Sequence, residues 1–104
     1  MEIELDRIDH LAIPVTDITD AVNWYQKSFS CSIAYKDSTW ALLEFENVSL
    51  ALVLPDQHPA HFAVERDDAA RYGSLNVHRD ETKSVYIEDP WKNNVEILQI
   101  NRNE

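Results

Sequence analysis

Apolar residues along this chain fall into short runs with two different periods. Ile8 to Ile13 reads as a first strand, with Leu11 and Ile13 on one face and His10 and Ala12 on the other. Asp17 to Phe29 changes period: Ile18, Ala21, Val22, Tyr25 and Phe29 fall on one helical stripe. Thr16 or Asp17 can cap this helix, and Asp20 adds negative charge in the first turn, where the helix dipole favours it. Strand candidates follow at Ser32 to Tyr35, Trp40 to Glu46 and Val48 to Leu54, the last two joined by a tight hairpin at Glu46-Asn47. The first half therefore reads β-α-β-β-β.

The pattern then restarts. At a shift of 51 residues His10 falls on His61, Ala12 on Ala63, Ile13 on Val64 and Asp17 on Asp68. A helix-compatible stretch, Asp67 to Tyr72, is only about one and a half turns long. Strand candidates follow at Leu75 to His78, Lys83 to Glu88 and Val95 to Ile100. The second half repeats the first with its helix cut short. The expected division is one domain over 1–104, with module one at about 1–56 and module two at about 57–104. Duplication of this kind can set equivalent residues around a shared cleft.

Composition narrows the classes. Lys and Arg number 9 against 19 Asp and Glu, a net charge of −10, and the basic residues are scattered singly. A nucleic-acid binder needs a basic face, so none is expected. The acidic balance suits solubility and agrees with a cationic ligand. The longest apolar run, Leu50 to Leu54, is far short of a membrane span. The first residues are acidic and lack a signal-peptide layout. One cysteine, Cys31, excludes an intrachain disulfide and suits a reducing compartment, so a cytoplasmic location is expected. With Gly73 as the sole glycine, asparagines such as Asn47 and Asn93 are expected to take over turn positions.

The candidate chemistry lies on the strand faces. His10 and His61 each point away from the bulky aliphatic face of their strand, beside a small alanine. Glu96 stands mid-strand in Val95-Glu96-Ile97-Leu98, where a carboxylate needs a partner or solvent. Together they form a two-histidine, one-carboxylate set that suits a divalent first-row ion, Fe, Mn, Co, Ni or Zn, with positions left open for water or substrate oxygens. A lone strand histidine is more often merely hydrogen-bonded; the symmetric placement on a repeat is what favours the metal.

At these residues the chain resembles the vicinal oxygen chelate (VOC) superfamily, the glyoxalase, bleomycin-resistance protein and extradiol dioxygenase fold. The matching stretches are Ile8-Asp-His-Leu-Ala-Ile-Pro-Val with Asn23-Trp-Tyr, Ala60-His-Phe-Ala-Val-Glu, and above all Val85-Tyr-Ile-Glu-Asp-Pro-Trp-Lys-Asn-Asn-Val-Glu-Ile-Leu. The resemblance implies an α+β fold of two βαβββ modules forming a curved mixed sheet around a cleft. It carries His10, His61 and Glu96 onto the family's metal ligands of strands one, five and eight. It further implies a small-molecule substrate chelated through neighbouring oxygens and a homodimer. Two departures stand out. Lys92 occupies the hairpin position where the family usually has glycine, so Asn93 is expected to supply the special backbone angle. The family's fourth-strand ligand would fall on Ala51 or Ser49, neither a useful ligand, which argues against glyoxalase I activity and leaves an arrangement closer to the dioxygenases.

Other side chains complete the expectations. If the Trp40-Leu42-Glu44 and Ser84-Tyr86-Glu88 faces look into the cleft, Trp40 and Tyr86 line the pocket and Glu44 is a candidate base; otherwise they face solvent or helix. Trp24 and Tyr25 read as core packing, Cys31 as a small buried hydrophobe, and His58 and His78 as solvated. Trp91 suits a dimer contact or a pocket wall. The first reading is a metal-dependent isomerase, lyase or dioxygenase; the alternative is a metal-free, bleomycin-resistance-type protein that binds a cationic drug or other small ligand.

Overall fold

In the computed structural model, which describes residues 4–78 and 82–99, the chain forms nine regular elements and one 3-10 turn. They are β1 (Arg7–Pro14), α1 (Ile18–Ser28), β2 (Ser32–Lys36), β3 (Trp40–Glu44), β4 (Ser49–Val53), β5 (His61–Glu65), a 3-10 helix (Ala69–Tyr72), β6 (Asn76–Val77), β7 (Lys83–Glu88) and β8 (Asn94–Gln99). The eight strands make one mixed sheet in the order β2-β3-β4-β1-β5-β8-β7-β6. Counted within each half, that order is the same: second, third, fourth, then first strand. The repeat read from His10 and His61 is thus a repeat of topology. The tail of the last strand candidate, Ile100, lies outside the described residues.

The chain divides into two compact units. One is His10–His61; the other joins residues 4–9 to residues 62–78 and 82–99.

In the first unit, Asp17 is the helix cap, and its side chain accepts from the Asp20 amide at 2.9 Å. The helix ends at Phe29, whose N–H donates to the Tyr25 carbonyl. Ile18 and Val22 bury the inner stripe of α1 against Ala41 and Leu43 of β3 and Leu52 of β4, with Ile13, Leu50 and Tyr25 packed around them. Leu43 and Leu52 are fully buried, and each such side chain contributes roughly 1.5–3 kcal/mol by leaving water. Strands β1 and β4 run parallel, whereas β3 pairs antiparallel with both β2 and β4. The β3–β4 turn closes through Phe45 N–H to Val48 O, with Glu46 and Asn47 at its tip as the sequence suggested. Edge strand β2 carries a bulge between Ile33 and Tyr35, a common way to make a sheet edge a poor template for further pairing.

In the second unit the short helix is a 3-10 turn. Its Ala69 packs with Val85 and Ile97 on one face of the β7–β8 hairpin. Gly73 ends it at φ 150, and a Cβ there would meet Val85 Cγ2 at 3.0 Å, so this position requires glycine. Arg66 grips Asp6 with Nη1 and Asp68 with Nε and Nη2, tying residues 4–9 to this unit.

Three sequence expectations are corrected. Trp24 is 58% exposed and lies edge-on to Tyr25 and Phe29 rather than in the core, because the stripe facing β3 and β4 is already filled by Ile18 and Val22. Cys31 is only half-buried, at the margin of the α1 core. The positive backbone angle of the β7–β8 hairpin belongs to Lys92 (φ 70), not to Asn93. Asn93 instead donates its N–H and Nδ2 to the Asp89 carboxylate, and these bonds hold it in ordinary backbone geometry.

Candidate functional site

Pairing on the first unit decides which side chains share the face of His10. His10 lies opposite Ser49, and Ser49 opposite Glu44. Directly paired residues in a sheet point to the same side, so His10, Ser49 and Glu44 form one row across three strands. At roughly 4.8 Å per strand, Glu44 sits about 10 Å from His10 at the backbone. The next row is Ala12, Ala51 and Leu42, and Trp40 follows opposite Val53. This face is therefore the one turned away from α1, so Trp40, Leu42 and Glu44 do not face the helix. Glu44 is exposed, while Trp40 is half-buried and stacks on Tyr35 at 4.6 Å. Neither Ser49 nor Ala51 brings a carboxylate or an imidazole to the β4 position expected to lack one.

The two histidines meet within this unit. The His10 and His61 rings lie 5.6 Å apart, nearly perpendicular at 77°. His61 Nδ1 sits 2.8 Å from the Pro59 carbonyl. A carbonyl only accepts, so Nδ1 carries the proton and the neutral ring keeps its lone pair on Nε2. Metal-binding histidines are typically oriented by such a second bond. The sequence reading marked Pro59 only as punctuation and missed this role.

In the second unit, Glu96 is paired with Tyr86 and is 5% exposed. Both point away from the Ala69-Val85-Ile97 core. Partial burial, and then the negative charge of Glu96, push the Tyr86 phenol above its ordinary pKa, although 37% of the residue stays exposed. Ser84, fully buried, lies two pairs along on the same face, opposite Leu98. His78 Nε2 lies 2.7 Å from Ser84 Oγ and 3.6 Å from Glu96 Oε2. This histidine was expected to be merely solvated. Alternation held the signal: His78 stands two residues beyond Asn76, which pairs with Ser84.

The β7–β8 loop is built on Asp89. Its carboxylate accepts from the N–H groups of Trp91 and Asn93, and its N–H donates to the Asn93 carbonyl. The bonds with Asn93 hold the Asp89 carboxyl below the usual range. Trp91 is 79% exposed, and His58 is exposed in the loop before β5.

No protein-family model and no curated protein sequence matches the chain. Solved structures do. A hypothetical protein from Bacillus halodurans superposes with a TM-score of 0.74 at 14% identity, over 97% of this chain and 99% of its own. A glyoxalase/bleomycin resistance protein/dioxygenase superfamily member from Vibrio splendidus superposes with a TM-score of 0.69 at 12% identity, over 92% of this chain and 100% of its own. A lactoylglutathione lyase from Agrobacterium tumefaciens matches more loosely, with a TM-score of 0.48 at 20% identity, over 89% and 92% of the two chains. The chain has the glyoxalase/bleomycin resistance protein/dioxygenase fold, the fold of the superfamily member from Vibrio splendidus. At such identities the likeness speaks for the fold alone.

Proposed function

We propose that His10, His61 and Glu96 bind one divalent first-row metal ion, and that the protein is an enzyme acting on a small organic substrate through neighbouring oxygens. The observation that carries this reading is the pair of imidazoles, His10 and His61, whose ring centroids lie 5.6 Å apart within one unit, while Glu96 supplies a buried mid-strand carboxylate in the other. The donor set fits the group. The tautomer of His61 is also the one a ligand through Nε2 needs.

When bound there, a divalent ion supplies Lewis acidity that stabilises negative charge on substrate oxygens. The chain's own residues divide the remaining work. Glu44, exposed and on His10's face, is the proposed base that takes a proton from substrate carbon. Tyr86, on the face of Glu96 and more than a third exposed, is the proposed donor to a substrate oxygen. Isomerase, lyase and dioxygenase chemistry all begin from such a centre. Metal analysis of the purified protein and of His10→Ala tests the reading. About one ion per chain in the wild type, and none in the variant, is expected; a wild type that takes up no added Ni, Mn, Fe, Co or Zn overturns it.

A metal-free ligand-binding role is the second reading. It is favoured by the Trp40–Tyr35 stack in an acidic chain, since aromatic rings and negative charge both attract cations. Tryptophan fluorescence that responds to a cationic glycopeptide without any metal would support it; an unchanged signal would count against it.

A further inference from the structure

Glu96 places a carboxylate where little water reaches it, in a residue only 5% exposed. A charge so placed needs donors arranged around it, and a carboxylate that ligates a metal must also be held against rotation about its last bond. His78 stands beside this group. Its Nε2 is 2.7 Å from Ser84 Oγ, a hydrogen bond, and 3.6 Å from Glu96 Oε2, an electrostatic contact beyond hydrogen-bond length. Ser84 is fully buried on β7, so the ring is tethered to a rigid strand rather than to a loop.

The chemistry of the acceptors selects the tautomer. A carboxylate oxygen only accepts, whereas a serine hydroxyl can do either. With the proton on Nε2 the ring donates to Ser84 and turns its positive edge toward Oε2. With the proton on Nδ1, a nitrogen lone pair would face the carboxylate. The first arrangement is therefore the stable one.

We infer that His78, anchored on Ser84, is a positioning residue that fixes the orientation of the Glu96 carboxylate for metal binding. This rests on the metal reading above and goes beyond it, because His78 is itself no member of the ligand cluster. Groups that hold a ligand from behind typically account for about 10–100-fold in metal affinity.

The experiment is titration of the full chain with Co(II), read by its visible absorption, for the wild type, His78→Ala, His78→Asn, His78→Gln and Ser84→Ala. Thermal melting of each metal-free protein runs alongside. Gln carries an amide nitrogen near the position of the imidazole Nε2, while Asn carries one near Nδ1. His78→Ala and His78→Asn should bind Co(II) about 10–100-fold more weakly and with an altered band shape. His78→Gln should recover most of the affinity, and Ser84→Ala should lose part of it. Melting of the metal-free forms should not track these changes, as it would if His78 only stabilised the fold. Wild-type affinity in His78→Ala, or no recovery in His78→Gln, overturns the inference and leaves the metal site standing. A wild type that gives no Co(II) spectrum overturns the metal reading, and the inference with it.

Discussion

Replacing Lys92 with glycine should stabilise this protein. Lys92 sits at φ 70, the one positive angle borne by a non-glycine among the described residues. The left-handed region brings Cβ close to the following carbonyl oxygen, at a cost of about 1–2 kcal/mol for an ordinary residue. Glycine removes that cost but loses more backbone freedom on folding, about 0.5–1 kcal/mol. The net expectation is a gain of about 0.5–1 kcal/mol. For a chain of this size that raises the melting temperature by about 2–8 °C. Thermal and urea unfolding of wild type, Lys92→Gly and Lys92→Ala measure it. Alanine keeps Cβ, so Lys92→Ala should stay within about 0.5 kcal/mol of wild type. A fall in stability for Lys92→Gly, or an equal rise for Lys92→Ala, would refute backbone strain as the reason. The position bears on function as well. The hairpin sets the register of β8, and a slip of one residue would turn Glu96 to the opposite face. Metal uptake by Lys92→Gly should accordingly match wild type.

Further predictions rest on other parts of the molecule. Leu43→Ala empties a fully buried position between α1 and the sheet and should cost about 2–5 kcal/mol, read as a large drop in the urea midpoint. Asp68 has its carboxyl lowered to about 2, chiefly by the hydrogen bond from Arg66 and against the opposing effect of burial. A lowered folded-state value means that this contribution to stability is complete above about pH 4 and is lost as the pH falls through 2. Asp68→Asn should therefore flatten the fall in melting temperature between pH 4 and pH 2; an unchanged slope would contradict the assignment. Glu44→Gln should leave metal uptake intact while lowering turnover of any accepted substrate about 10²–10⁴-fold, the usual share of a general base. Equal turnover would remove Glu44 from the mechanism.

The architecture was legible because its signals are local and repeated. The helical stripe through Ile18, Ala21, Val22 and Tyr25 and the cap at Asp17 each depend on residues close in sequence, and α1 formed where they indicated. Period-two alternation likewise set Glu96 opposite in face to Val95 and Ile97. What escaped depends on contacts between distant positions or on competition for one place. Nothing local tells Lys92 from Asn93 as the residue in the left-handed region; the decision comes from Asp89, which takes both nitrogens of Asn93. Trp24 looked like core because it is large and apolar, but smaller neighbours had already filled the stripe. His78 was missed because its role depends on strand pairing: Asn76 lies opposite Ser84, and His78 stands two residues beyond it.

The most direct test of the central claim is X-ray absorption at the metal edge of the Zn(II)- or Co(II)-loaded protein. The account predicts two imidazole nitrogens at about 2.0–2.1 Å, with oxygen atoms completing the shell. One imidazole contribution should vanish in His10→Ala and one in His61→Ala. A shell without imidazole, or one unchanged in either variant, would contradict it.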